Sequence, residues 1–407
     1  MDMGLSSCFD FNATMAARAA YVDIFLKSTP RGGWTPATDA SGTRLPPFSA
    51  VCFYTALHLK ALVPALAGVP IGLVQSSVGG TAIETWMSAD ALLAAGVPAA
   101  EAVCGVKGCS NQSYCGNFAP LIAPLAPTVF KAMLWYQGES DVACNVEPGW
   151  HANSYARLLP SLVESWRALF ATPFTALVVM LAPSARTDEV PAERSADAWP
   201  VLRNAQLSVL ALNGTGMIYP IDMGDDGKTV YTPPTPRHGG LHPRNKTEFG
   251  RRLALAWAEA EGLLPAGVVA RGPDFAGAAV EAGGATVLVT FAPGPARAAL
   301  ALAPTTDCAT DGRVPPPGNS SAHCCQNDVT DARSPHGFPF ELEAGGAWVL
   351  ARAAVVAAPD GAPAVRLAPL AATGAALSGR VRYAWDNWPL CGVVNAAGLP
   401  LPPFVSA

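Results

Sequence analysis

The chain has 407 residues, 50% of them hydrophobic and 14% charged, with a formal net charge of -5. That length accommodates two domains around a large core. The acidic balance, without any basic stripe, argues against a nucleic-acid or anionic-membrane partner, since both require clustered Lys and Arg. No run of about eighteen apolar residues is free of charges and Pro, so the sequence offers no membrane-spanning helix.

Taken in order, Met1-Asp2-Met3-Gly4 opens without the basic and apolar regions of a signal peptide. Residues 32–47 are rich in Gly, Pro, Thr and Ser and read as loop. From Phe48 to Leu62, Phe48, Val51, Cys52, Leu59 and Leu62 recur at helical spacing, and Pro64 ends the helix. Val69 to Gln75 reads as a short buried strand, and Thr81 as the start of a helix with Ile83, Trp86 and Met87 on one face. The apolar run Thr128 to Leu134 predicts the central strand.

Ser154 to Phe170 predicts a helix that Pro160 should kink or break near Leu159. Thr175 to Leu181 and Met217 to Ile221 read as strands, and Ala196 to Leu212 as a helix. Arg244 to Glu261 is a further helix, with Glu248 and Arg252 paired at i,i+4. Strands alternating with helices predict a parallel, doubly wound α/β sheet over residues 1–263. Beyond Pro265, strand-like segments near Val280, at Val287 to Phe291, Trp348 to Ala354 and Val381 to Trp385 predict a smaller β-rich domain over residues 264–407.

Ten Cys are present. Cys104, Cys109, Cys115 and Cys144 crowd the central motif, and Cys308, Cys324 and Cys325 lie in a later Pro-rich stretch. The even count fits disulfides in an oxidising compartment, secretory, lysosomal or extracellular. Zinc is the weaker reading, because no C-x2-C pair occurs and His323 is the one His beside a cluster. Sequons at Asn12, Asn111, Asn213, Asn245 and Asn319 lean toward a glycoprotein.

Three segments carry candidate chemistry. Gly79 and Gly80 follow a strand and precede a helix, so their backbone N–H groups suit an oxyanion; a tight turn is the bland reading. Gln137, in Trp135-Tyr136-Gln137-Gly138-Glu139-Ser140, is able to donate a side-chain N–H to the same oxyanion, and Glu139 to orient a neighbour. A structural cap is the bland reading of both. His242, between Gly239-Gly240-Leu241 and Pro243, is placed to act as a base near neutral pH. Spacing alone does not name the reaction.

These residues resemble a known family. Pro70-Ile71-Gly72-Leu73 through Ser76-Ser77-Val78-Gly79-Gly80-Thr81-Ala82-Ile83-Glu84-Thr85-Trp86 is similar to the second block of the sialate O-acetylesterases. Leu134 to Ser140 resembles their Trp-Tyr-Gln-Gly-Glu-Ser block, and His242-Pro243-Arg244-Asn245-Lys246 their His-Pro block. Phe48-Ser49-Ala50-Val51-Cys52, Arg382-Tyr383-Ala384-Trp385 and Pro402-Pro403-Phe404 match as well.

The resemblance implies an SGNH-type, flavodoxin-like three-layer fold and removal of O-acetyl groups from sialic acids by Ser/His acyl transfer, without metal or organic cofactor. It implies Gly80 (or Gly79) and Gln137 as oxyanion groups, His242 as base and Glu139 as support. The partner is an O-acetylated sialic acid or another acetylated sugar.

Two departures bear on activity. The family's Gly-Gln-Ser-Asn nucleophile block, which ends its first strand, has no counterpart here; Met1-Asp2-Met3 aligns with the segment just beyond it. The expectation is a start placed too late, a lost first strand that leaves two neighbouring strands with open edges, and a nearly inert chain. Ser76 and Ser77 precede the oxyanion glycines and are poorly placed to substitute. The acid that many SGNH enzymes carry before the His is replaced by Gly239 and Gly240, leaving Asp222, Asp225, Asp226 or a backbone carbonyl to orient His242. Acetyl esterase action on other polysaccharides and non-catalytic glycan binding are the rival readings.

Overall fold

The computed structural model describes residues 24–28, 35–36, 48–142, 154–183, 195–224, 242–243, 245–302, 339–387, 389 and 392–406. Cys144, Asp225, Asp226, Cys308, His323, Cys324, Cys325 and the sequons at Asn12 and Asn319 lie outside them. Packing divides the chain into two compact units. The first comprises Met1–Met180, Ala205–Ile218 and Arg244–Val268, and the second Leu181–Asn204, Tyr219–Pro243 and Val269–Ala407.

The first unit is α/β. Strand β1 (Ile24–Ser28) has β2 (Thr35–Pro36) antiparallel on one side. On its other side lies β3 (Ile71–Gln75), parallel, with Ile24 opposite Ile71 and Ser28 opposite Gln75. A second sheet, all parallel, orders β4 (Ala132–Trp135), β5 (Thr175–Val179) and β6 (Thr215–Ile218). The parallel α/β character agrees with the sequence reading; the single sheet does not. Among the described residues no ladder joins β3 to β4, and each has a hydrogen-bonded neighbour on one side only.

Burial follows this layout. The run Thr175-Ala176-Leu177-Val178-Val179 is buried throughout, as expected of a β-branched strand covered on both faces, whereas Leu73, Val74, Met133 and Leu134 are only partly buried. β4 begins at Ala132 rather than Thr128, and Val129, read from sequence as part of the buried strand, is 76% exposed.

Helix α1 (Ala50–Leu62) starts where the Ser49 hydroxyl accepts the Cys52 N–H. The helix expected from Thr81 is instead a 3-10 turn, Ile83–Trp86, followed by α2 (Ala89–Ala94), which the Ser88 hydroxyl caps. Long-range bonds to the Ala82 and Ile83 N–H groups, described below, hold the start of this turn. Helix α3 (Tyr155–Leu169) runs through Pro160 without the expected break. Pro160 removes one donor near its start, while Leu158, Leu159, Leu162, Val163 and Trp166 bury the whole stripe.

Helix α4 (Ser195–Gln206) tightens into a 3-10 turn, Leu207–Ala211. Helix α5 (Lys246–Ala260) is capped by Asn245, whose side-chain oxygen accepts the Glu248 N–H. Glu248 in turn pairs with Arg251 at 2.6 Å and Arg252 at 2.7 Å. Trp135 stands edge-on to both Trp86 and Trp166, with ring centroids 6.4 and 5.9 Å apart, which locks β4 to α3 and the 3-10 turn.

The second unit carries an antiparallel seven-stranded sheet, in agreement with the β-rich reading. Its members in chain order are β7 (Phe275–Val280), β8 (Val287–Phe291), β10 (Phe340–Ala344), β11 (Ala347–Ala357), β12 (Pro363–Pro369), β13 (Leu377–Tyr383) and β15 (Phe404–Val405). In space they run β15-β13-β10-β11-β12-β8-β7. Two short strands, β9 (Leu300–Leu302) and β14 (Val393–Asn395), pair separately.

Alternation places Val287, Val289, Phe291, Phe340, Leu342 and Tyr383 in the core. On the opposite face Arg382 pairs with Glu341 and Arg380 with Glu343, and both guanidiniums lie over Trp348. No helix among the described residues is long and apolar enough to cross a membrane.

Candidate active site

The turn after β3 is shaped by its glycine. Gly80 has φ +72, a left-handed conformation in which a side chain would be strained, and Gly79 and Gly80 are exposed. Among the described residues the N–H groups of Gly79 and Gly80 have no hydrogen-bond partner. The Thr81 hydroxyl donates to Val78 O at 2.8 Å and accepts from Trp86 Nε1 at 2.9 Å, closing the turn. Ser76 donates to Leu121 O at 3.2 Å and Ser77 accepts from Gln75 Nε2 at 3.0 Å, so both hydroxyls are tied to the scaffold.

Gln137, from the turn after β4, reaches this segment. Its Nε2 donates to Thr81 O at 2.9 Å and to the Asp141 carboxylate. Its Oε1 is 2.9 Å from the Tyr155 hydroxyl, which itself accepts from Trp135 Nε1 at 3.1 Å. Two amide hydrogens meet two acceptors and the oxygen meets a donor, which fixes the amide's orientation. Burial, followed by the charge of Asp141, raises the pKa of Tyr155 well above the ordinary phenol value and keeps it a donor. Gly138, at φ 144, makes the turn that lets Glu139 to Asp141 fold back as a 3-10 turn.

Asp141 ties the two loops. It is 4% exposed, and both carboxylate oxygens accept the Ile83 N–H at 3.2 Å. Glu84, 2% exposed, lies close enough for its charge to act on Asp141, and its Oε2 has no partner among the described residues. Burial raises the pKa of both carboxyls, and for Asp141 the charge of Glu84 adds to it.

A carboxyl with a raised folded-state pKa binds more protons in the fold than in the unfolded chain. Stability therefore falls as pH rises above the ordinary value of 4.5 toward the folded value. Glu84→Gln removes that charge. It is expected to raise the melting temperature by on the order of a few degrees at pH 8 and by nothing at pH 4. A gain of equal size at both pH values would show that the charge is not responsible.

The loop of residues 104–117 braces the same segment from the other side. Gln112 Oε1 accepts the Ala82 N–H at 2.9 Å and its Nε2 donates to Gly80 O at 2.8 Å. Asn117 Nδ2 donates to the Thr85 hydroxyl at 2.9 Å, and the backbone N–H groups of Cys115 and Asn117 donate to Glu84 O and Thr85 O. A disulfide, Cys104–Cys115, closes this loop, while Cys52 is a free thiol.

The structure thus brings Gly79, Gly80 and Gln137 together around Thr81, with Glu139 beginning the turn that carries Asp141. His242 is half-buried beside buried Pro243 and belongs to the second unit, as does Asp222. Sequence reasoning missed Gln112, Asp141, Glu84 and Tyr155. Asp141, next to the Gln-Gly-Glu-Ser run, had the one usable signal, since an acid beside a strand-end motif invites a capping role. Among the described residues no group of three or more His, Cys, Asp or Glu is arranged to hold a metal ion.

Comparison with known proteins gives concordant matches. Residues 58–230 match the family model described as carbohydrate esterase, sialic acid-specific acetylesterase. A sialate O-acetylesterase of Pongo abelii is 31% identical over 237 residues, and that of Homo sapiens 30% over 237 residues; each match spans 53% of this chain and 42% of the relative. A sialate O-acetylesterase of Rattus norvegicus is 34% identical over 149 residues, 30% of this chain and 26% of its own length. The similarity to each relative therefore covers less than half of that protein.

Proposed function

We propose, from the match of residues 58–230 to the sialic acid-specific acetylesterase family model and the partial similarity to sialate O-acetylesterases, that this chain belongs to that family and that its first unit holds the oxyanion side of an esterase that removes O-acetyl groups from sialic acids. The carrying observation is the meeting of two separate motifs just after the Gly79–Gly80 turn, where Gln137 binds Thr81 O and Asp141 binds the Ile83 N–H.

In this reading a serine hydroxyl attacks the acetyl carbonyl carbon as His242 takes its proton. The carbonyl oxygen becomes an oxyanion held by the Gly79 and Gly80 N–H groups and by Gln137, once Gln137 turns one amide hydrogen from its present acceptor. Collapse expels the sugar hydroxyl, which receives the proton from His242; water then repeats the sequence and releases acetate. Glu139 supports the Gln137 turn. No metal or organic cofactor enters these steps. The Cys104–Cys115 disulfide supports an oxidising compartment such as the secretory pathway.

In this reading the attacking serine is that of the family's Gly-Gln-Ser-Asn block, which has no counterpart in residues 1–407. Among the described residues β3 and β4 each lack a hydrogen-bonded neighbour on one side, which suits a further strand carrying that serine. The test compares the 407-residue chain with the same chain carried upstream in frame, on p-nitrophenyl acetate and on an O-acetylated sialic acid. The extended chain is expected to hydrolyse both, with the shorter one slower by on the order of a million-fold. Failure of the extended chain on either substrate rejects the corresponding half of the proposal. Saturable sialoside retention without turnover by both chains would favour a glycan-binding protein, a reading that the spent amide hydrogens of Gln137 also suit.

A further inference from the structure

The peptide between Gly80 and Thr81 is aimed by bonds from opposite sides. Gln112 holds Gly80 O at 2.8 Å and the Ala82 N–H at 2.9 Å, while Gln137 holds Thr81 O at 2.9 Å. In a trans peptide the C=O and the following N–H point in opposite directions. Because Gly80 O faces Gln112, the Thr81 N–H faces away from it. The next peptide repeats the logic: Thr81 O faces Gln137 and the Ala82 N–H faces Gln112. Among the described residues the Thr81 N–H has no partner, and its hydroxyl is already engaged with Val78 and Trp86.

We propose that Gln112 is a positioning residue of this site, turning the Thr81 N–H toward the side where Gln137 lies and making it a donor to the developing oxyanion. This rests on the esterase reading and adds to it a donor and a residue outside the matching motifs. An amide is the side chain this task requires, since it accepts from Ala82 and donates to Gly80 at once, as a strand backbone would. Glutamate keeps the acceptor alone, and methionine of similar length keeps neither.

The loop that carries Gln112 is stiff enough for the role. Gly108 N donates to Gln112 O at 2.8 Å, Tyr114 N to Val106 O at 2.9 Å and Gly105 N to Tyr114 O at 3.1 Å, beside the Cys104–Cys115 disulfide. The Tyr114 ring occupies the place a side chain at Gly108 would need, with Cε1 1.9 Å from an ideal Cβ.

The test uses the 407-residue chain, labelled with 15N, and acetate, whose carboxylate oxygen stands in for the oxyanion. Acetate is expected to shift the Thr81 N–H resonance saturably in the wild type. Gln112→Met should weaken that binding by about ten-fold, the scale of one hydrogen bond, and lower the melting temperature by on the order of a few degrees while keeping one cooperative transition. Gln112→Glu should fall between the two, and serves as the comparison should Gln112→Met fail to fold.

An unmoved Thr81 resonance in the wild type, or acetate affinity unchanged in the variants, overturns the proposal. Failure of the esterase reading shows separately, as an extended chain that hydrolyses nothing. If such a chain still binds acetate at Thr81 through Gln112, the positioning role stands and the esterase reading does not.

Discussion

Gly250→Leu is expected to abolish the cooperative unfolding transition of the first unit, and Gly250→Ala to cost about 3 kcal/mol or more. A Cβ at residue 250 would lie 2.4 Å from Tyr54 Cβ, 2.6 Å from Tyr54 C and 2.7 Å from Thr55 N. Two of these three atoms are backbone, so no rotamer change relieves the clash; α1 and α5 would have to separate. That separation would carry further, because α5 packs against β5 and β6 and its Phe249 stacks on Tyr136 at 5.5 Å, one residue before Gln137. Urea titration followed by tryptophan fluorescence measures the loss. Gly262→Ala is the control: at φ +67 it carries backbone strain of about 1 kcal/mol, with nothing within 4 Å of its Cβ. If Gly250→Ala costs no more than this control, close packing of the two helices is not what Gly250 provides.

Arg203→Met is the counterpart in the second unit, with an expected loss of about 3–5 kcal/mol. Arg203 is 1% exposed, and its guanidinium donates to four carbonyl oxygens: Leu181 at 2.9 Å, Ala182 at 3.2 Å, Asp386 at 2.6 Å and Asn387 at 3.1 Å. Burial lowers its pKa to about 9, against the opposing pull of the Asp386 charge, so it remains a cation at neutral pH. A methionine fills similar volume and leaves all four acceptors without their donor. The measurement is the denaturation midpoint of the second unit's transition beside that of Arg366→Met, whose exposed pairing with Glu281 is expected to change little. Equal midpoints for the two variants would mean that the buried guanidinium does not fasten these segments.

Much of the fold was legible because it is written in local periodicity. The Phe249, Leu253 and Trp257 stripe of α5, the continuous apolar run of β5 and the two-residue alternation of β8 each report a face to be buried. Where local signals misled, a distant contact had overruled them. The helix expected from Thr81 is a 3-10 turn whose Ala82 and Ile83 N–H groups are held by Gln112 and Asp141, thirty and fifty-eight positions away. The break expected at Pro160 did not occur because the buried stripe of α3 outweighs one missing hydrogen bond.

The sequence by itself indicated that α/β elements come before a β-rich segment, whose antiparallel pairing only the structure shows. It also pointed to the turns after β3 and β4 as candidates for polar chemistry, because glycine in a strand-end turn and apolar strand runs are local properties of a chain. Only the tertiary structure decided which side chains aim those turns. Gln112, Asp141 and Arg203 act through hydrogen bonds between segments far apart in sequence, and such bonds leave no period, spacing or composition for a linear reading to detect.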